Sequence, residues 1–165
     1  MTDATSPASP SPIRRLGGRV LLFDESGRIL LIHERLEDGT THWLTPGGGV
    51  EAGEHPRDAA RREAQEETGI DIRIPPDADP VHVTRRLWSW ADVVYDQVDE
   101  FYVARVPDGT LARATALTDV EQLTLIEMRW WPPAELATTG DVLLPDDLAV
   151  LLASHAQEWL ASVGG

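Results

Sequence analysis

The stretch from Gly48 to Ile70 constrains the fold more than any other part of the chain, and it reads GGVEAGEHPRDAARREAQEETGI. It predicts a helix. Pro56 suits a first helical position because its missing N–H is unpaired there, and Asp58 favours the positive end of the helix dipole. Gly69 can adopt the left-handed conformation that ends a helix. We therefore expect a glycine run followed by one helix.

One face of this predicted helix carries carboxylates in place of large apolar side chains. At ~100° per residue, Glu63, Glu66 and Glu67 fall within an arc of roughly 100°. Ala59, Ala60 and Ala64 lie on or beside the same arc, where an ordinary amphipathic helix would have Leu, Ile or Val. Neighbouring carboxylates repel one another, and burying them is costly unless a cation compensates. The pattern indicates a hard divalent metal such as Mg²⁺ or Mn²⁺, and the alternative is an acidic helix face in water.

The spacing of these residues resembles the Nudix box, G-x5-E-x7-R-E-U-x-E-E-x-G-U, in which U is a bulky or apolar residue. The fixed positions are filled by Gly48, Glu54, Arg62, Glu63, Ala64, Glu66, Glu67, Gly69 and Ile70. Every position matches, although Ala64 is a small member of its class. The resemblance covers 23 of the 165 residues. It implies the α/β fold of this family, an α/β/α sandwich with a mixed central sheet.

The resemblance also implies a cofactor and its ligands. Glu63, Glu66 and Glu67 would bind Mg²⁺ or Mn²⁺, and the backbone carbonyl of Gly48 would add a further ligand. By the same resemblance, these glutamates and Arg62 are the predicted catalytic residues.

The implied reaction is hydrolysis of a nucleoside diphosphate linked to another group, in which water attacks one phosphorus of a pyrophosphate. Arg62 would orient a glutamate, either Glu54 or Glu63. The competing interpretation is a protein that binds a nucleotide without cleaving it. The substrate subgroup stays open, because residues 85–88 carry neither the proline nor the tyrosine that marks some subgroups.

Nudix enzymes often take a further carboxylate from beyond the box, as metal ligand or base, and Glu100 is our prediction for it. Strand alternation places Glu100 on a face with apolar neighbours, and a buried acid needs a partner. These neighbours are Val98, Tyr102 and Ala104. Asp99 is the second choice, because its own face is also apolar. The alternative is a charge at a strand edge in water.

Two kinds of residue are candidates for substrate binding. Flat side chains could stack on a base, and they are Trp43, Trp88, Trp90 and Tyr95. Arg85 and Arg86 could contact phosphate. The alternative for the aromatic residues is the core, and the alternative for the two arginines is solvent.

The overall charge bears on partners. The chain has 28 acidic residues against 14 lysines and arginines, a formal net charge of −14. A basic surface for nucleic-acid polymers or anionic membranes is therefore not expected, and the predicted partner is a small nucleotide or nucleoside diphosphate derivative. The absence of cysteine excludes disulfides and thiol catalysis. No signal-peptide pattern is visible, so we expect a cytoplasmic protein.

The chain predicts one domain after a short tail. Residues 1–12 are rich in serine and proline and predict a disordered tail, with docking on a partner subunit of a homodimer as the alternative. Residues 13–165 form the predicted domain. Its predicted strands are 13–23, 28–33, 71–74, 81–90, 97–106 and 123–131, with 91–96 as a loop. Beyond the box, its predicted helices are 132–136 and 146–162.

Overall fold

The computed structural model describes residues 11–163, so most of the predicted tail lies outside the described part. The strands are β1 (Ile13–Asp24), β2 (Ile29–Arg35), β3 (Thr41–Leu44), β4 (Gly47–Gly49), β5 (His82–Trp90), β6 (Val93–Val106), β7 (Leu125–Trp131) and β8 (Leu143–Leu144). The helices are α1 (Pro56–Thr68), α2 (Asp119–Thr124), α3 (Pro133–Leu136) and α4 (Leu148–Ser162).

The strands form one sheet in the order β5-β6-β1-β2-β3-β8, with β4 added to β1 and β7 added to β2. β1 runs parallel to β6, and β3 runs parallel to β8. The other pairs are antiparallel, so the sheet is mixed. The predicted α/β class with a mixed sheet is confirmed.

Helices cover both faces of the sheet because β1 is apolar on both of its sides. Val20 and Leu22 belong to the cluster on the α1 side, which includes Ala64. Leu21 and Phe23 belong to the larger cluster on the α4 side. Alternation along a strand sends successive side chains to opposite faces, so a run of four apolar residues fills two core layers. This produces the α/β/α arrangement.

Small residues let α1 lie directly on β1. A Cβ atom at Gly18 would overlap the carbonyl group of Pro56. The predicted helix ends are confirmed: Pro56 stands in the first turn, and Gly69 adopts φ 70° and donates its N–H to the Gln65 carbonyl. The close approach holds the acidic face of α1 against the glycine run in β4.

Several predicted boundaries were wrong. Residues 71–74 form no strand, although Ile72 is buried in the core on the α1 side. The loop predicted at 91–96 is only a turn at Ala91 and Asp92, whose φ angles are 45° and 63°, and β6 already begins at Val93. α2 occupies the start of the strand predicted at 123–131.

In the described part of the chain, no helix has both the length and the apolar character required to cross a membrane.

Candidate active site

The glycine run of β4 lies against the carboxylates of α1. Gly48 pairs with Gly18 of β1, and a Cβ atom at Gly48 would lie 2.5 Å from the carboxylate carbon of Glu63. A side chain at position 48 would therefore displace the Glu63 carboxylate from its place beside β4. The Gly47 N–H donates to Oε2 of Glu67 at 2.9 Å. The box thus brings its first glycine and two of its glutamates together in space.

Three carboxylates converge at this point, and we call them the acidic cluster: Glu63, Glu67 and Glu121. One oxygen of each lies within 4.8 Å of the others. Glu67 is only 7% exposed, and its burial raises its pKa to about 8. Burial also raises the pKa of Glu63. Because these anions are poorly solvated, a nearby cation would strongly favour their charged forms. An all-oxygen donor set fits a hard divalent metal.

Glu121 enters the cluster from α2, which the sequence analysis missed. Its carboxylate also completes a capping box: Oε2 accepts from the Thr118 N–H at 2.7 Å, and the Thr118 side chain accepts from the Glu121 N–H. The Thr-x-x-Glu spacing is a helix-start signal that could have revealed α2. Nothing in the sequence indicates that this helix faces α1.

Arg62 donates hydrogen bonds to several acidic residues of the box. It donates to both carboxylate oxygens of Glu54 at 3.0 Å and to Oε1 of Glu63 at 2.8 Å. It also donates to the Gly49 carbonyl at 3.0 Å and, more weakly, to Glu66 at 3.4 Å. The hydrogen bond from Arg62 lowers the pKa of Glu54. The guanidinium therefore links the loop before α1 to the acidic face of the helix.

Two predicted metal ligands lie outside the acidic cluster. Glu66 is about half exposed and contacts Arg62. Glu100 lies beside Gly18 on the α1 side of the sheet, where its Oε2 accepts from the Tyr102 hydroxyl at 2.5 Å. Among residues 11–163, the carboxylate that joins Glu63 and Glu67 is that of Glu121.

A cleft of about 520 Å³ opens beside the acidic cluster. Its walls include the glycine run, Glu67, Glu121, Trp88 and Tyr95. A second cavity of about 250 Å³ adjoins it and shares several lining residues, namely Arg19, Arg86 and Leu144. The volume of the cleft is in the usual range for small-molecule sites.

Asp99, the second choice for the extra carboxylate, lies between two arginines of these cavities. It is 2% exposed, and its Oδ2 is 3.4 Å from Nε of Arg19 and 4.0 Å from Nε of Arg86. Burial, together with the charge of Arg19, lowers the pKa of Arg86. Arg19 was not predicted from the sequence, although it follows Gly17 and Gly18 directly before the buried run of β1.

The predicted substrate contacts divide into two groups. Arg86 and Trp88 line the large cleft. Arg85 projects on the other side of β5 and binds both oxygens of Asp96 at 2.7 Å, although it borders the smaller cavity. The Trp90 side chain lies outside the described part.

Trp43 is a core residue, which contradicts its prediction as a substrate platform. Its side chain is 3% exposed. It stacks on His33, with ring centroids 4.3 Å apart, and packs edge-on against Trp131. Its indole N–H donates to Asp141 at 3.1 Å. Burial on β3 leaves too little ring surface to receive a base.

Comparison with known proteins identifies the domain. The sequence matches the NUDIX domain over residues 14–157. It is 35% identical over 101 residues to an RNA pyrophosphohydrolase of Roseobacter denitrificans, covering 59% of this chain and 60% of that relative. The chain therefore spans less than two thirds of the length of this curated relative.

Solved structures show the same fold. A MutT NUDIX hydrolase of Burkholderia pseudomallei has a TM-score of 0.55 and 27% identity, covering 73% of this chain and 84% of that one. The dihydroneopterin triphosphate pyrophosphohydrolase of E. coli has a TM-score of 0.62 at 17% identity, covering 88% and 99%. With the complete box and the domain match over most of its length, the chain belongs to the NUDIX family.

Proposed function

We propose that this chain is a metal-dependent pyrophosphohydrolase that cleaves a nucleoside diphosphate linked to another group. The observation that carries the proposal is the acidic cluster, which meets the glycine run at the edge of the large cleft. Three carboxylates so close together are strongly unfavourable as anions without compensating positive charge. A phosphate substrate would add negative charge at the same place.

Mg²⁺ or Mn²⁺ fits this donor set, with Glu63, Glu67 and Glu121 as the residues that would hold it. Such an ion would neutralise phosphate charge and lower the pKa of a water molecule. Glu66, the Gly48 carbonyl and Glu100 remain proposed as further ligands from the family resemblance.

The contribution of the chain itself is to hold these carboxylates in place before a ligand arrives. Arg62 fixes Glu63 through a hydrogen bond of 2.8 Å, and the Gly47 N–H fixes Glu67 at 2.9 Å. Groups that are already oriented need little reorganisation during the reaction, which is the main electrostatic advantage of an enzyme site.

The proposed substrate is a nucleoside polyphosphate derivative. A second candidate is the 5′-triphosphate end of RNA, because the relative from Roseobacter denitrificans is an RNA pyrophosphohydrolase. Both kinds of substrate carry a phosphoanhydride bond in a phosphate chain attached to a nucleoside 5′ carbon, so the chemistry at the acidic cluster would be the same.

A substrate panel tests the proposal directly. Release of phosphate, pyrophosphate and nucleoside monophosphate is measured for nucleoside triphosphates, dinucleoside polyphosphates, nucleoside diphosphate sugars and a short 5′-triphosphate RNA. Each is assayed with Mg²⁺, with Mn²⁺ and with EDTA. We expect metal-dependent turnover of at least one class, and the ratio of kcat/KM values identifies whether free nucleotide or RNA is preferred.

Two results would overturn the proposal. Turnover that persists in EDTA would rule out the metal-dependent reaction. Tight nucleotide binding by calorimetry, with no turnover of any substrate, would instead identify a nucleotide-binding module with a NUDIX fold.

A further inference from the structure

The wall of the large cleft carries a stacked aromatic pair as well as Glu67 and Glu121 of the acidic cluster. Trp88 of β5 lies directly opposite Tyr95 of β6 in the antiparallel register. Side chains at opposed positions project from the same sheet face, and these two rings stack with centroids 4.7 Å apart and planes 26° apart. Both rings are half-buried and both line the cleft, so part of their surface is open to a ligand.

Arg15 of β1 connects this pair to the glycine run. Its guanidinium carbon lies 5.3 Å from the ring centroid of Tyr95 and 5.9 Å from that of Trp88. Its Nη2 lies 2.9 Å from the position that a Cβ atom would take at Gly49. The guanidinium therefore stands between the aromatic rings and the loop that borders Glu63.

The cations of the cleft differ in what they contact. Arg19 and Arg86 both lie beside the buried Asp99. Within residues 11–163, no ion pair to a carboxylate is formed by Arg15. A guanidinium that stacks on aromatic rings keeps its N–H edge for hydrogen bonds, and this edge suits phosphate oxygens.

We propose that Trp88, Tyr95 and Arg15 form a nucleoside shelf, in which the rings stack on the base and Arg15 contacts the phosphate next to the ribose. This rests on the proposed function. A series of contacts supports it: Arg15 lies against the aromatic pair and beside Gly49, and the glycine run contacts Glu63 and Glu67. A nucleoside polyphosphate laid along these contacts puts its phosphates at the carboxylates and its base on the rings. Because every base has a π-face, the shelf accepts any base but requires a nucleoside.

The test compares nucleoside triphosphates with inorganic tripolyphosphate, which has phosphates but no base. For Trp88→Leu, we expect KM for nucleoside triphosphates to rise roughly 5- to 150-fold, which corresponds to the loss of one base-stacking contact. The KM for tripolyphosphate should stay within about twofold of wild type. Trp88→Phe retains a ring and should recover most of the affinity, while a loss shared by both ligands would indicate a purely structural role.

Arg15 is tested against a matched neighbour. Arg15→Gln should raise KM for nucleoside triphosphates and leave kcat within a few-fold. Arg14→Gln is the control, since the Arg14 side chain is 87% exposed and its ion-pair partner is Asp96. Arg15→Lys keeps the charge without the planar group and should recover only part of the affinity. Full recovery by lysine would overturn the stacked role of Arg15.

The outcomes separate the shelf from the proposed reaction. If wild type turns over nucleotides and Trp88→Leu leaves every KM unchanged, the shelf is refuted and the reaction stands. If wild type turns over nothing but binds a non-hydrolysable nucleoside triphosphate, calorimetry compares the affinity of wild type and Trp88→Leu for this ligand. A weaker affinity of the variant supports the shelf, and an equal affinity refutes it. Equal affinity of wild type for tripolyphosphate and for nucleoside triphosphates would also refute the shelf. Short 5′-triphosphate RNA in the same series shows whether the nucleoside comes from a free nucleotide or an RNA end.

Discussion

Glu67→Gln should produce opposite effects on activity and on metal-free stability. The carboxylate is 7% exposed, and burial raises its pKa from 4.5 to about 8. The folded chain then holds this proton more tightly than the unfolded chain. The stability that the protonated carboxyl contributes is complete below about pH 4.5 and is lost as the pH rises through about 8. Ionised Glu67 therefore costs on the order of 3 to 5 kcal/mol of folding free energy at pH 8 to 9 without metal.

Glutamine keeps the shape of this side chain and removes its titration. We expect the urea midpoint of Glu67→Gln in EDTA to fall much less between pH 5.5 and pH 8.5 than that of wild type, with the raised pKa of Glu63 as the remaining source of pH dependence. Wild type should lose stability over this interval and regain it with Mg²⁺, because metal binding displaces the proton. In the presence of Mg²⁺, the variant should lose two or more orders of magnitude in kcat, which is about 3 kcal/mol of activation free energy.

Arg61→Gln is the control for both measurements, since Arg61 lies on the exposed side of α1 and pairs with Asp71 at 3.0 Å. It should match wild type in rate and in pH dependence. Near-normal rates for Glu67→Gln with normal Mg²⁺ dependence would refute the role of the cluster as the metal site. Parallel pH–stability curves for wild type and Glu67→Gln would refute the argument from burial.

Four further substitutions, in three tests, probe the neighbouring residues. Gly48→Ala places a Cβ atom 2.5 Å from the Glu63 carboxylate carbon, so Mg²⁺ affinity by calorimetry should fall at least tenfold while the fold persists by circular dichroism. Arg62→Lys cannot reproduce the bidentate contact with Glu54, and kcat should fall 10- to 100-fold with a smaller change in KM, on the order of magnitude known for residues that orient metal ligands. Glu121→Gln should weaken Mg²⁺ binding more than Glu100→Gln, and the reverse order would assign the extra carboxylate to Glu100.

The box itself could be predicted because its information is local. Glu63 and Glu67 are four residues apart on one helix, so helical periodicity alone places them together. The ends of α1 followed in the same way from Pro56 and Gly69. Glu121 could not be predicted as their neighbour, because its position depends on how the segment before α2 docks on the end of α1, where the Thr115 N–H donates to the Glu66 carbonyl.

The errors in the sheet have physical causes too. Ala91 and Asp92 form the tight turn between β5 and β6 in left-handed conformations, which are usually taken by glycine or asparagine. Their sequence therefore suggested a longer loop. The alternation at residues 71–74 reflects burial of Ile72 without any strand partner. Alternation reports which side chains are buried, and it does not report backbone pairing.

Net charge proved a poor guide to the cleft, because the arginines are concentrated there. The chain carries a formal charge of −14, yet four arginines line the large cleft: Arg15, Arg19, Arg35 and Arg86. Screening at physiological salt acts over about 8 Å, so a phosphate inside the cleft interacts mainly with these side chains and the acidic cluster. The overall charge then affects the association rate of an anion, and the arginines of the cleft slow its dissociation. The prediction that the chain binds no nucleic-acid polymer therefore stays a prediction, and the comparison of free nucleotides with a short 5′-triphosphate RNA tests it.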